Sequence, residues 1–410
     1  MDPLCHSLVG ASLAHAGLRR ATPLATATLL VGANLPDVDG ITYLISRDLA
    51  LGVRRGWTHG LLSMAVWPFV LAGVMLALDR WRRRGRPDLR PAVPARLLLV
   101  AAIGVVSHPA LDWLNSYGIR LLMPFSGRWF YGDAAFIVDP WMWALPGAAA
   151  ALATSYRSSS MAAWLVLGAL ATAVVVTGPG STTALRAAWV GTLAAIVGLR
   201  LLGATPLAKV RVARGGLVLL LLYVLALRIV SLDVVRRVGP WLDARGVEAD
   251  AVAALPVAGR PFTRDVIAVT DAQYYFLRTT WLDREPAFVG PPAPIGGPTM
   301  ITSAAMRAPE VWGLATWIRF PSYAVERRGD GYRVFVRDAR FWRPGRAGSP
   351  IGDIHVDLDR DLRPAGADST DRSRPRAGLP GARTVALAID PCLGPVVAAL
   401  SARGIRLWDW

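Results

Sequence analysis

The sequence predicts a mainly α polytopic membrane bundle of about six or seven apolar helices, followed by a small β-rich soluble domain. Three observations carry this expectation. Over 410 residues the chain is 53% hydrophobic and only 18% charged, with a mean hydropathy of +0.39, too apolar for an ordinary soluble protein. Long apolar runs recur at 61–78, 97–114, 140–154, 161–178, 185–202 and 215–232, most of them near the ~20 residues a bilayer requires. From about residue 240 the runs shorten while Pro, Gly and charge rise.

The elements follow in chain order. The N-terminus carries Asp2 and His6 and lacks a basic start with a long apolar core, so no cleaved signal peptide is expected. A weaker apolar run at 22–33 ends at Asn34 and Pro36 and reads as a re-entrant or shallow helix, which membranes tolerate only when it is buried in protein or lines a wet cavity. Residues 79–96 hold Arg80, Arg82, Arg83, Arg84, Arg86, Arg90 and Arg96, and residues 200–214 hold Arg200, Lys209, Arg211 and Arg214. The positive-inside rule places both loops in the cytoplasm. Counting spans from there puts Arg157 inside and the region after 232 outside, provided that 140–154 crosses.

Beyond 240, Tyr332–Arg337 and Asp353–Leu358 alternate with period two, and Trp317–Phe320 looks similar; all three suit strands of a small antiparallel sheet. Residues 361–384 are polar and rich in Pro, Gly and Arg, the composition of a flexible loop. The chain thus divides into a helical region with a candidate metal site (1–140), further transmembrane helices (141–235) and a soluble β-rich domain (240–410). The net charge of +16 comes from 45 basic and 29 acidic residues. Because the basic residues are mostly arginines in short loops between apolar runs, topology explains them and nucleic acid is not an expected partner. Cys5 and Cys392 make neither a disulfide framework nor a thiolate metal site.

Four of the five histidines fall in the first 108 residues, three of them within or beside polar motifs. These are His6; Asn34-Leu-Pro-Asp37-Val-Asp39; Thr58-His59-Gly60; and Ser107-His108-Pro-Ala-Leu-Asp112-Trp-Leu-Asn115. Imidazole and carboxylate are the usual ligands of a catalytic divalent metal, and intramembrane polar residues need an interior partner. His108, Asp112 and Asn115 project from one helical face. His59 precedes the run that ends in the arginine loop, and Asp112 lies about 24 Å of helix beyond Arg96, so both approach the outer end. His6 and His15 stand on opposite faces of an N-terminal helix; His6 is the ligand or supporting group, and His15 is structural. Pro36 can open a helix with Asp37 and Asp39 in or beside its first turn. The plain alternative is a His–Asp pair tying helices together, with the acidic turn a cap.

The stretch 116–139 contains Arg120, Arg128, Trp129, Phe130, Tyr131, Asp133 and Asp139. Trp129 and Tyr131 suit an interfacial aromatic belt. Arg128 suits an anionic substrate group such as phosphate, with Asn115 and Asp133 as further substrate-side candidates. His355 reads as an ordinary structural histidine. No phosphate loop, nucleophile elbow or Cys-x-x-Cys is present.

In order, MDPLCHSLVG, NLPDVD, RRGWTHGLL, SHPALDWLNSYGIRLLMPFS and IVDP resemble the YdjM-like bacterial inner-membrane proteins described as membrane-bound, metal-dependent hydrolases, over about residues 1–140. Later segments, PVAGRPFTRDVIAV, FPSYAVE and RVFVRDARF, are similar to the carboxy-terminal region of longer members. The resemblance implies metal-dependent hydrolysis in the bacterial inner membrane, with His6, Asp37, Asp39, His59, His108 and Asp112 on the family's polar positions. Trp57, where a smaller apolar residue is common, departs from the pattern.

The expected function is therefore hydrolysis of an ester or phosphodiester, of a lipid or amphiphile, at the outer membrane face. A divalent ion, zinc or manganese, would be held by His59, His108 and Asp112 with one or more of His6, Asp37 and Asp39. A spare carboxylate among Asp37, Asp39 and Asp112 would act as base. The competing expectation is a non-catalytic membrane protein whose polar cluster is structural and whose extracytoplasmic domain binds a partner. A transporter fits less well, because the polar residues gather at one end.

Overall fold

In the structure, a computed structural model, residues 1–178, 180–203, 206–283, 285–345 and 351–365 are described. Most of the expected loop at 361–384, and Cys392, lie outside them.

Among the described residues, nine α-helices precede the sheets. The first, α1 (Pro3–His15), starts on Asp2, whose carboxylate accepts from the Cys5 amide at 3.0 Å, with Pro3 in the opening turn. Its partner α2 (Ala25–Gly32) returns from a turn at residues 16–22 held near the basic end: Arg214 donates to the Ala16 carbonyl at 3.0 Å and Arg96 to that of Ala21 at 3.2 Å. A 3-10 stretch (Leu35–Leu44) and α3 (Arg47–Val53) follow, then the apolar hairpin α4 (Leu61–Gly85) and α5 (Pro94–Trp113). The bundle is completed by α6 (Pro140–Thr154), α7 (Ser158–Thr177), α8 (Thr183–Leu201) and α9 (Pro206–Asp243).

Among the described residues, five helices are long and apolar enough to cross a membrane: α4, α5, α7, α8 and α9. The shallow run at 22–33 becomes the eight-residue α2, and 140–154 becomes the 15-residue α6, about 22 Å at the helical rise and short of a full span. Yet α6 reaches from one end of the bundle to the other. Its cap, Asp139, accepts from the Tyr223 hydroxyl at 2.8 Å, and Ser155, just past its last turn, accepts from Arg200 at 3.0 Å.

Small residues let α2 lie against α5. A Cβ on Gly32 would meet the Val105 amide at 3.1 Å, and one on Gly104 would meet the Leu29 carbonyl at 3.2 Å. This contact matters later, because it brings the end of α2 beside His108.

The predicted run 215–232 is only the middle of α9. With 38 residues, about 57 Å, the helix outruns the ~30 Å hydrocarbon core. Its last turns supply Val230, Val234, Val238 and Leu242 to a core shared with Ala254, Val266, Ala268 and Leu277. These sheet residues belong to an antiparallel meander of β1 (Ala251–Val257), β2 (Arg260–Val269) and β3 (Gln273–Thr280), with β4 (Ala287–Phe288) and β5 (Ala293–Pro294) on the free edge of β3. A second sheet orders β6 (Pro321–Arg328), β7 (Gly331–Asp338) and β8 (Asp353–Leu358). The two alternating segments read from the sequence are β7 and β8, paired with Val334 opposite Val356.

Trp317–Phe320 is not a strand. Two short helices, α10 (Met300–Met306) and α11 (Trp312–Trp317), intervene, and Trp317 closes the second, fully buried, its indole donating to the Tyr117 carbonyl at 3.1 Å. The docking of α11 on α3 overrides the local alternation: the Gly313 amide donates to Asp48 at 2.7 Å, and the Trp312 ring occupies the space a Cβ on Gly52 would need.

Buried arginines join sheets to bundle. Arg264 of β2, fully buried, donates to the Ser231 hydroxyl at 2.8 Å and to the carbonyls of Ala134 (3.0 Å) and Leu227 (2.8 Å). Arg319 pairs with Asp133 at 2.9 Å, and Arg340 donates to the Ser116 carbonyl at 2.6 Å. Arg264→Met strands those carbonyls, and the expected cost is about 3 kcal/mol, read as a lower melting temperature in detergent and faster tryptic cleavage at Arg245. Unchanged melting and cleavage would show the clamp to be dispensable.

Candidate metal centre

His108 and Asp112 lie one turn apart near the end of α5, both fully buried. His59 sits in the turn before α4, and the residue after it has to be small: a Cβ on Gly60 would come within 2.4 Å of the Met123 carbonyl. Asp37 stands in the first turn of the 3-10 stretch opened by Pro36. Three separate segments of an apolar chain therefore deliver their polar residues to one point.

Four ligand atoms converge there. His59 Nε2 is 3.1 Å from His108 Nε2, and Asp112 Oδ2 is 3.4 Å from the first and 3.5 Å from the second. Asp37 Oδ1 is 3.8 Å from His59 Nε2 and 3.7 Å from His108 Nε2. All four atoms lie within 4.8 Å of one another. A tetrahedron built on metal–ligand bonds of about 2.0–2.2 Å has edges of about 3.3–3.6 Å, close to these spacings.

The far side of each imidazole is occupied. His108 Nδ1 lies 2.7 Å from the Ala33 carbonyl, an acceptor, so this nitrogen carries the proton and Nε2 turns its lone pair inward. His59 Nδ1 lies 2.8 Å from Thr58 Oγ1 and 3.3 Å from Asp39 Oδ2, while the Thr58 hydroxyl donates to Asp39 at 2.7 Å. Two lone pairs therefore face each other beside two carboxylate oxygens. Asp112 Oδ2 has no hydrogen-bond partner among the described residues; Arg55 Nε is 2.9 Å away but misaligned for a hydrogen bond. Such a set can hold a cation at its centre, and the donors fit a divalent metal.

A second layer holds the ligands. Asp112 Oδ1 accepts from Arg55 at 2.9 Å, lies 3.2 Å from His6 Nε2 and contacts the Met1 nitrogen. The His6 ring stacks on His108 at 3.8 Å. His6 and Asp39 thus stand behind the four converging atoms rather than among them. Asn115 accepts from Arg55 at 2.9 Å and from the Tyr117 amide at 2.8 Å, orienting the guanidinium under the Tyr117 ring. Arg54 donates to Asp37 at 2.7 Å.

Electrostatics agrees with this arrangement. Burial opposes ionisation of Asp37, but the Arg54 guanidinium bonded to it works the other way, and the carboxyl is held well below the usual range. Burial lowers His59 to about 4 against the pull of Asp39, so the imidazole is neutral at physiological pH. Burial also lowers Arg55, to about 10, which leaves it charged.

The loop 116–139 departs from its expected roles. Arg128 is exposed and lies over Phe130, apart from the cluster. Asp133 is committed to Arg319. Trp129 and Tyr131 form no interfacial belt: the Trp129 indole donates to the Thr316 carbonyl at 2.7 Å, and Arg319 covers the Tyr131 ring at 4.0 Å. Docking of the β-sheet domain half-buries both rings. Sequence reasoning missed Arg54 and Arg55, although two arginines beside Thr58-His59, at the end opposite the basic loops, violate the charge bias and were a usable signal. It named Arg120 without a role; the structure shows it tying their turn by donating to the carbonyls of Gly52 (2.6 Å), Val53 (3.0 Å) and Arg54 (3.2 Å).

Residues 1–182 match the model of a family described as YdjM inner membrane protein. The uncharacterized protein YfhP of Bacillus subtilis (strain 168) is 25% identical over 113 residues, which cover 28% of this chain and 32% of that protein. The match thus spans about a third of the relative's length. No solved structure matches the chain.

If Asp39 and Thr58 set the His59 tautomer, Asp39→Asn weakens divalent-metal affinity about 10–100-fold without unfolding the protein. Competition titration against a chelator measures it, and wild-type affinity in the variant would refute the assignment.

Proposed function

We propose that this membrane protein, whose residues 1–182 match the YdjM family, is a metal-dependent hydrolase of the bacterial inner membrane. One observation supports the reading above all others: Asp37, His59, His108 and Asp112 offer four ligand atoms at near-tetrahedral spacing, with both imidazoles locked from behind. Two nitrogens and two oxygens suit zinc or manganese. When bound, such an ion supplies Lewis acidity and an acidified water.

The chain's own residues divide the remaining work. Asp112 is gripped on Oδ1 by Arg55 and His6, so it is a fixed ligand and not a mobile base. Asp37 alone of the four has an exposed side-chain fraction, 15%, against 0% for His59, His108 and Asp112. Solvent and substrate would therefore approach from its side. Arg54, 20% exposed and bonded to Asp37, replaces Arg128 as the cation for an anionic group. The cluster lies where α5 ends and α4 begins, which suits an ester or phosphodiester presented at the membrane surface. With the basic loops in the cytoplasm, this surface and the soluble domain are extracytoplasmic.

Full burial of three ligands favours a second reading, a closed structural metal that ties α2, α4 and α5 together. The two separate experimentally. Protein purified without added metal or chelator should carry stoichiometric metal that His108→Ala/Asp112→Ala loses. Arg54→Ala should keep the metal yet lose most turnover of bis-p-nitrophenyl phosphate or a phospholipid. Absence of metal from the wild type, even after reconstitution, would sink both readings. Bound metal without turnover of any ester or phosphodiester would leave the structural one.

A further inference from the structure

A groove of about 980 Å³ opens where α6, α8 and α9 meet the first sheet, and it shares no residue with the metal centre. This volume is at the upper end for ligand sites. One wall is Leu145 of α6 with Leu219 and Leu222 of α9; the roof is Phe262, Trp281 and Leu282, contributed by the sheet.

Its level in the membrane follows from α9. The Leu227 carbonyl, bonded to Arg264, marks the level of the sheet. Leu222 and Leu219 lie five and eight residues back along α9, about 7 and 12 Å deeper. They fall in the half of the ~30 Å hydrocarbon core that adjoins the soluble domain. Among the described residues they are more than half uncovered: Leu219 is 54% and Leu222 55% exposed. The roof is equally uncovered, with Trp281 52% and Leu282 86% exposed and the Phe262 and Trp281 rings 6.5 Å apart. A soluble domain that directs Phe, Trp and Leu at the bilayer is dressed for the headgroup–acyl boundary.

The groove is preformed. Gly180, with φ +90°, lies so close to the β1–β2 turn that a Cβ would come within 2.3 Å of the Ala258 carbonyl; Gly259, with φ +66°, abuts Gly180 and Leu185 in return. The roof is thereby seated on the α7–α8 loop, and filling the groove costs no rearrangement. At its rim stands Arg260, exposed and without a carboxylate in ion-pair range among the described residues. A cation above an apolar slot, at the edge of one leaflet, is complementary to a phosphate carrying an acyl chain.

We propose that the groove binds one membrane phospholipid, an acyl chain lying along Leu219 and Leu222 beneath Trp281 and its phosphate on Arg260. The lipid seals the joint between bundle and sheet.

The test uses the full-length protein, exchanged into mild detergent, washed free of loose lipid and offered 1-palmitoyl-2-oleoyl phosphatidylglycerol. Native mass spectrometry then counts retained phospholipid. Wild type should retain one molecule; Leu222→Trp, which narrows the slot beside Leu219, and Arg260→Glu, which reverses its rim, should each lose it at unchanged melting temperature. Metal content should stay at the wild-type level in both, so failure here is distinguishable from failure of the hydrolase reading. No retained phospholipid in the wild type, or equal retention in Leu222→Trp, would overturn the proposal. Loss in Leu222→Trp with full retention in Arg260→Glu would overturn the assignment of the phosphate.

Discussion

The candidate site turns on burying the Asp112 carboxylate at the end of an apolar helix. A naked carboxylate there is prohibitively costly, so everything near it is arranged to answer its charge. One oxygen is met by Arg55 and His6; the other faces His59 and His108. The requirement spreads outward. Arg55 needs Asn115 and the Tyr117 ring, His59 needs Thr58 and Asp39, and His108 needs the Ala33 carbonyl, which only the glycine contact between α2 and α5 brings near.

The same logic of buried cations fastens the β-sheet domain. Arg264, Arg319 and Arg340 reach from the sheets and α11 region into the 116–135 loop and α9, exchanging water for carbonyls and carboxylates. Because α9 outruns the membrane, its last turns serve as the sheet's inner face, and one rigid helix carries the connection. Tyr117 links the two halves: its carbonyl receives the Trp317 indole while its ring lies against Arg55. The β-sheet domain is thus coupled to the second layer of the candidate metal centre.

Much was legible beforehand because membranes simplify the code. Apolar runs exposed α4, α5, α7, α8 and the middle of α9, and polar residues stranded inside or beside such runs exposed His59, His108, Asp112 and Asp37. Spacing also indicated that His108 and Asp112 share a helical face. Less legible were features set by contacts across distant segments. Trp317–Phe320 alternates like a strand yet caps a helix, because burial against Tyr117 outweighs local pattern. Trp129 and Tyr131 look like a belt and are a domain joint.

The sequence alone determined the membrane bundle, the β-rich region beyond it, and the residue types capable of holding a metal, since each rests on local composition or periodicity. Tertiary structure decided which of those residues converge. It set Asp37, His59, His108 and Asp112 within 4.8 Å of one another and left His6 and Asp39 behind them. It also brought Arg54 and Arg55 inward and kept Arg128 out. Distances between segments depend on which small residues let helices touch and which buried charges must be paired, and neither is a property of any stretch of chain by itself.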